Sequence, residues 1–485
     1  MGIVVNQSIK NVIITCLGFG IGAINTLFLF TKFLEEEYYG LVSYLLSVSN
    51  LIWPLMAFGV HNTLVKFYSS YVNKGEQNKF LTMMLILPMC IALFVGAIGS
   101  VLYDYVLGFF SNDNTIVQPY VWTIYILAIS LSYFEIFFAW AKVKLKSVFG
   151  NILKELFVRI CTMILLIFVF FEMITVQQFI YAIIIVYIVR LVIMSAYAFG
   201  LHEFKFNFSL PGNYISVFKY SLLILLAGSV ATLLIDLDKT MIERYLPIKY
   251  VAKYGICAYI ASVIIIPSRA MHQITYPLTA KLINEKGFEQ LRELYKKSSL
   301  NLFAISGLLL VLIVCNVNQL FELIPSEYEL FIWVVLLIGA AKLFDNLLGN
   351  NNSILFNSDY YRLILYIGIG MAILAFILNI ICIPIFGVTG AAIATFAAVF
   401  CYNVAKIWIV QKKFKMHPFS SKTPFIILLI VIFLFGFYFW DFGFHPMVNI
   451  SLKSIIIGII YVSLLYLFKV SEDINDILKK IPRGA

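Results

Sequence analysis

Residues 231–287 read ATLLIDLDKTMIERYLPIKYVAKYGICAYIASVIIIPSRAMHQITYPLTAKLINEKG. The stretch puts Asp236, Asp238 and Lys239, then Arg269 and His272, into segments otherwise apolar enough to sit in lipid. An ionisable side chain at the centre of a bilayer helix costs about 2.5–3.5 kcal/mol on insertion scales, so such groups face a protein-lined cavity. Pro267 removes a helical hydrogen bond just before Arg269 and predicts a kink there.

The same pattern extends over the whole chain. It has 485 residues, 62% of them hydrophobic and 12% charged, with a mean hydropathy of +0.95. Apolar runs near the roughly 20 residues needed to cross a bilayer core recur from end to end. They are continuous rather than alternating, which excludes a β-barrel and predicts an all-α, polytopic membrane protein. Fourteen spans are expected, near 9–31, 40–62, 80–103, 117–140, 149–171, 177–199, 219–241, 252–279, 298–317, 329–349, 362–385, 388–410, 424–443 and 452–469. The first run reads as a span and not as a cleaved signal peptide, being too long and lacking a small-residue cleavage site. The connections are short, and that between 281 and 297 reads as an amphipathic link on the cytoplasmic side.

Charge sets the orientation. Of the 35 Lys and Arg residues, twenty-six fall on the ends and connections that share a side with the N-terminus, and six on the other side. The positive-inside rule then places both termini in the cytoplasm. The net charge of +10 is divided among these short loops, so nucleic acid is not expected as a partner. Cys16, Cys90, Cys161, Cys257, Cys315, Cys382 and Cys401 lie in or beside apolar runs without metal-ligand spacing, and read as small packing residues.

A repeat is visible within the runs. Tyr39-Gly40-Leu-Val-Ser-Tyr44 matches Tyr254-Gly255-Ile-Cys-Ala-Tyr259. Pro54 matches Pro267, and the turn Asn73-Lys74-Gly75 matches Glu285-Lys286-Gly287, at offsets of 212 to 215 residues. Spans 1–6 (residues 1–206) and 7–12 (residues 207–412) therefore read as two lobes in the same orientation, an arrangement found in transporters with a central cavity. Residues 413–485 carry spans 13 and 14 and a basic tail outside the repeat.

Three motifs carry a family resemblance. Glu37-Tyr-Tyr-Gly40-Leu-Val-Ser-Tyr44 opens span 2, and Asp236-Leu-Asp-Lys-Thr-Met-Ile precedes Tyr254-Gly-Ile-Cys-Ala-Tyr259. Asn379-Ile-Ile-Cys-Ile-Pro384-Ile-Phe-Gly387-Val-Thr-Gly390-Ala-Ala-Ile-Ala-Thr395, the most specific of the three, joins spans 11 and 12. Together they resemble the polysaccharide biosynthesis and lipid-linked oligosaccharide (O-antigen type) flippases of the multidrug/oligosaccharidyl-lipid/polysaccharide exporter superfamily. The resemblance implies two six-helix lobes forming a V and alternating access in a bacterial cytoplasmic (inner) membrane. It implies as cargo a polyprenyl-diphosphate-linked oligosaccharide destined for surface polysaccharide such as lipopolysaccharide. Implied partners are membrane lipid and the polysaccharide assembly machinery.

The charged residues are weighed against that expectation. Arg269, His272 and Tyr276 line one stretch of span 8, and an arginine's planar fork suits a diphosphate. A buried arginine paired with a lobe carboxylate is the plainer reading. His272 is a ligand or proton carrier, or else a polar packing residue. Asp236, Lys239 and Glu243 share a helix face at i, i+3, i+7 spacing. With Asp238, Asp236 and Lys239 read either as a coupling or gating site or as an ion pair that closes the two lobes. Asn25 and Lys32 on span 1 would border the same cavity by the repeat, although Lys32 could equally snorkel to the interface. Glu135, Arg159 and Arg190 read as ion pairs locking the first lobe, with a basic inner vestibule as the alternative.

The chain has no Walker-type phosphate loop, so ATP use is not expected, and neither is a cofactor, a metal or a catalytic residue. The expected drive is a gradient, with H+ or Na+ as coupling ion, the membrane potential, or downstream consumption of cargo. Two rival readings are a cation-coupled multidrug exporter of the same superfamily and a membrane glycan polymerase. Spans 1 and 2 carry no acidic residue for the first, and no long outer loop is available for the second.

Overall fold

The computed structural model describes residues 2–111, 114–201, 203–227 and 234–480, and every regular element among them is a helix. Residues 231–233 of the decisive stretch and Arg483 of the basic tail lie outside these residues. Lipid offers no hydrogen bonds to a backbone, so all-helical spanning segments are what this composition demands. Among the described residues, ten helices are long and apolar enough to cross a membrane, and 214–225 and 423–437 are apolar but shorter. The difference from fourteen has local causes. The expected fifth span carries Lys154, Glu155 and Arg159, the seventh passes through undescribed residues, and the helix in the tenth has 16 residues.

The chain divides into two compact units, Met1–Gly255 and Ile256–Ala485. In the first, α1 (Gly2–Ile24) continues through a π-helical segment, Asn25–Leu29, into α2 (Phe30–Phe33). Then come α3 (Glu36–Ala57), α4 (Val60–Phe67), α5 (Lys74–Val101), α6 (Tyr103–Ser111) and α7 (Val121–Val143). After α8 (Ser147–Ile152) a second π-helical segment, Leu153–Phe157, leads into α9 (Val158–Phe170). The unit continues with α10 (Val176–Gly200), α11 (Tyr214–Ala227), α12 (Leu234–Tyr245) and the first turns of α13 (Lys249–Ser262). Its core lies around α7, where Phe134, Ile136 and Trp140 pack with Leu64, Phe80 and Met194. A capping box starts α10: the Thr175 hydroxyl accepts from the Gln178 backbone N–H, and Gln178 Oε1 accepts from the Thr175 N–H.

In the second unit a 3-10 turn, Val263–Ile265, leads into α14 (Ile266–Asn284). It is followed by α15 (Phe288–Phe321), α16 (Ile332–Leu347), α17 (Asn351–Phe356), α18 (Tyr361–Phe386) and α19 (Val388–Phe414). The chain closes with α20 (Thr423–Phe437), α21 (Pro446–Leu467) and α22 (Glu472–Lys480). Around α15, Phe303, Leu310 and Cys315 pack with Ile430 and Phe433 of α20 and Tyr461 of α21. Lys453 of α21 is fully buried and donates to the Cys315 carbonyl at 2.7 Å. The expected amphipathic link at 281–297 is instead a tight turn at Glu285–Gly287 between two helices. The pairs Arg292–Glu289 and Lys297–Glu293, at 3.1 and 2.8 Å, extend the 34-residue α15 backwards through the charged residues.

Small residues set the close approaches, as expected where helices associate by packing and not by exclusion from water. A Cβ at Gly40 would overlap the Ile248 carbonyl, so this glycine lets α3 lie against the turn before α13. Gly390 plays the same part against the Cys382 carbonyl where α18 meets α19. There Gly387 adopts φ 58°, ψ −138°, a conformation essentially confined to glycine. Gly40→Val and Gly390→Val are each expected to cost about 1–3 kcal/mol. The check is the midpoint of thermal unfolding in detergent. Gly20→Ala, whose methyl would meet nothing within 4 Å, should leave that midpoint unchanged.

Candidate functional site

In the first unit α12 is the most polar helix set among apolar ones, and it packs along α3. If Asp236, Asp238, Lys239 and Glu243 faced lipid, each would cost about 2.5–3.5 kcal/mol. The fold gives each of them a polar neighbour. Asp236 lies within hydrogen-bonding reach of Ser47 and Asn50 of α3, and in the field of Lys239 one turn on. Asp238 is fully buried and accepts from the Tyr254 hydroxyl. Glu243 is buried and accepts from Asn114 Nδ2 at 2.9 Å, with Tyr44 beside it.

Gly255 completes this seam. A Cβ there would lie 3.4 Å from Lys239 Cε and 3.5 Å from the Ser43 hydroxyl. The glycine of the second Tyr-Gly motif thus leaves the space that the Lys239 chain runs into. At the N-terminal end of α3, Glu36 pairs with the buried Lys253 at 3.5 Å and with Lys249 at 4.0 Å. The sequence-derived gating residues Asp236, Asp238 and Lys239 therefore lie on one helix, with Asp236 against α3 and Asp238 against α13.

In the second unit the 3-10 turn Val263–Ile265 and Pro267 in the first turn of α14 mark the break ahead of Arg269. The Ile264 carbonyl at the break accepts from Asn346 Nδ2 at 2.7 Å, and Asn346 also donates to Ser306 at 2.6 Å. Arg269 and Tyr276 are exposed and His272 is half-buried. The two exposed groups stand two turns apart along α14. His272 lies in the field of Lys406 and Asp345.

The remaining sequence-derived residues fall elsewhere in the first unit. Glu135 pairs with Lys154, and Arg159 pairs with Glu155 at 2.9 Å, so the carboxylates that meet these groups differ from the Glu135–arginine pairing expected from the sequence. Glu155 and Arg159 stand at i, i+4 on one helix, while Lys154 of the segment Leu153–Phe157 reaches Glu135 of α7. Arg190 is buried between the rings of Phe134 and Tyr187, at 4.0 and 4.7 Å from their centroids. Asn25 opens the other π-helical segment and donates to the Arg159 carbonyl at 2.8 Å. Gly18 stands where a Cβ would overlap the Arg159 guanidinium. Lys32 is exposed at the end of α2.

One cluster escaped the sequence reading. Lys406, which the charge count treats as a loop lysine, is 1% exposed within α19. It donates to Asn352 Oδ1 at 3.1 Å and lies 3.9 Å from Asp345 Oδ1. Asn350 bonds to Thr279 of α14, and its backbone N–H donates to Ser298 at 3.1 Å. The signal was present in the run Asp345-Asn346-Leu-Leu-Gly-Asn350-Asn351-Asn352, five polar residues in eight beside an apolar helix. Its glycine, Gly349, has φ +52° and sits where a Cβ would crowd the Ser299 backbone.

Residues 8–283 match a family model described as polysaccharide biosynthesis protein. No curated protein sequence matches the chain. Among solved structures, the chain is similar to a lipid II flippase, MurJ, in an inward closed conformation, with a TM-score of 0.71 at 14% identity over 96% of this chain and 100% of that one. It is also similar to a multidrug resistance MATE family transporter of the MOP superfamily in an inward-facing conformation, with a TM-score of 0.56 at 12% identity over 86% and 95% of the two chains. For a Vibrio cholerae MATE transporter, VcmN, the TM-score is 0.52 at 11% identity over 85% and 98%. These likenesses establish the fold. With the family match extending over more than half its length, the chain belongs to the polysaccharide biosynthesis protein family.

Proposed function

We propose that the protein is a flippase that carries a polyprenyl-diphosphate-linked oligosaccharide of O-antigen type across the bacterial cytoplasmic membrane by alternating access. The observation that carries the reading is Arg269: an exposed arginine just beyond a helix break, in an expected membrane span. A diphosphate crossing a low-dielectric region needs a fixed cation, and an arginine can bind its oxygens through two donors at once. The family match and the likeness to a lipid II flippase support the same reading. The lobes are those of the sequence repeat, 1–206 and 207–412, and the lipid tail stays in the bilayer while the headgroup passes. A multidrug exporter shares the fold, but a positive group at this point repels cationic drugs.

The seam between α12 and α3 is the gate in this proposal. Asp236 is its coupling carboxylate, the group that would take up H+ or Na+ and loosen its bonds to Ser47 and Asn50. Lys239 then loses its counter-charge one turn away.

Two measurements test these roles. In proteoliposomes, transport is read as loss of enzyme accessibility of a labelled lipid-linked glycan. Arg269→Ala is expected to slow it by about tenfold or more, the worth of a charge-assisted bond, and Arg269→Lys by less. Full transport by both Arg269→Ala and Arg269→Glu would overturn the proposal. Asp236→Asn should make the rate insensitive to an imposed pH or Na+ gradient while leaving binding of geranylgeranyl diphosphate intact. Persistence of the gradient response in that variant would remove Asp236 from the coupling role.

A further inference from the structure

We infer that Asp345 and Lys406 form a built-in counter-ion pair that an incoming phosphate group opens, making Lys406 a second anion ligand in the unit that carries Arg269. The inference rests on the reading of Arg269 as an anion site. Its ligand is a phosphate or diphosphate group, whether carried on a lipid or free in solution.

The geometry of the pair is unusual for a buried cation. Lys406 has a side chain 2% exposed, yet its close hydrogen bond goes to a neutral amide, Asn352 Oδ1 at 3.1 Å. Its carboxylate, Asp345 Oδ1, stands 3.9 Å away and already accepts from Asn403 Nδ2 at 2.8 Å. The Tyr402 ring, 4.4 Å from the ammonium, adds a cation–π contact. Removing a charge from water is repaid when its partner is close and well aligned. Coulomb attraction falls as the inverse of distance, so at 3.9 Å the pair has roughly three quarters of the attraction it would have at 2.8 Å. The buried ammonium is held, but not by a full-strength ion pair.

The surroundings point the same way. His272 of α14 faces both Lys406 and Asp345, and Arg269 lies one turn earlier on that helix. Asp345 thus lies in the field of a buried lysine and a half-buried histidine. The asymmetry in exposure indicates which partner moves. Asp345 is 31% exposed and Lys406 is enclosed, so the carboxylate is the group with room to leave. In the empty protein Asp345 is a placeholder that keeps a buried cation tolerable. A phosphate offers more acceptor oxygens and more charge than a carboxylate already engaged by Asn403, so it takes Lys406 over while Asp345 turns toward its open side. Neutral and cationic headgroups cannot make that exchange, and the pair therefore selects for anions.

The test is binding to the full chain in phosphatidylcholine nanodiscs, with geranylgeranyl diphosphate as the lipid-borne probe and inorganic pyrophosphate as the free one. Asp345→Asn is expected to bind geranylgeranyl diphosphate about fivefold tighter, because the competing anion is gone. Lys406→Gln should bind about tenfold weaker, and Lys406→Arg within about threefold of the parent. The double variant Asp345→Asn/Lys406→Gln should be as weak as Lys406→Gln, since a placeholder with nothing to hold has no effect. The same order with pyrophosphate identifies the phosphate alone as the ligand; the order with geranylgeranyl diphosphate only identifies a lipid-borne group. Unchanged or weaker binding in Asp345→Asn overturns the inference, as does unchanged binding in Lys406→Gln. Should Asp345→Asn fail to fold, Lys406→Gln against Lys406→Arg decides, and equal affinities overturn it. Arg269→Gln separates the two readings. If it loses binding while the Asp345 and Lys406 variants change nothing, only the counter-ion pair falls; if it binds as the parent does, the anion site at Arg269 falls.

Discussion

Charge that cannot be left in lipid is the constraint on which this structure depends. The chain has few charged residues for its length, and several of those inside apolar helices are given a partner or a ring. Asp238 has Tyr254, Glu243 has Asn114, Arg159 has Glu155, and Lys453 has the Cys315 carbonyl. Arg190 lies between two aromatic faces. Each arrangement offsets a cost of a few kcal/mol that no apolar contact could cover, because lipid tails are as apolar as the core.

The way each site satisfies its charge separates structure from function. The seam around α12 is closed, since Asp236 meets Ser47 and Asn50 of α3, Asp238 meets Tyr254 of α13, and Glu243 meets Asn114 and Tyr44. It is this closed seam that the proposal takes as the gate. The face of α14 is open, with Arg269 and Tyr276 exposed and the backbone irregular just ahead of them. Irregular backbone inside a membrane is tolerated where it lines a cavity. The π-helical segments at Asn25 and Leu153 pair with another arginine, but there Arg159 is tied to Glu155 and to nothing that could leave readily.

The sequence made part of this legible. Continuous apolar runs specified an all-helical membrane fold, and of the three motifs behind the family resemblance, the two at Glu37–Tyr44 and Asp236–Tyr259 lie within the matched residues 8–283 while that from Asn379 to Thr395 lies beyond them. The break at Pro267 followed from proline chemistry alone. Partners were harder to read, since they depend on which helices meet. Glu135 is met by Lys154, which lies on a different helical segment, and spacing along one helix does not anticipate such a contact. Lys406 was hidden for a different reason. Near the end of an apolar run a lysine is read as an interfacial group, and it is the packing of α16 and α17 against α19 that encloses it.

The central claim is that Arg269 receives the phosphate of a lipid-linked cargo. The most direct measurement is a structure of the protein in nanodiscs with bound geranylgeranyl thiodiphosphate, the sulfur being located by anomalous scattering or by its density. The account predicts a phosphate within hydrogen-bonding distance of the Arg269 guanidinium, with the prenyl chain leading away from α14. A phosphate bound elsewhere while Arg269 keeps its protein contacts unchanged would contradict it.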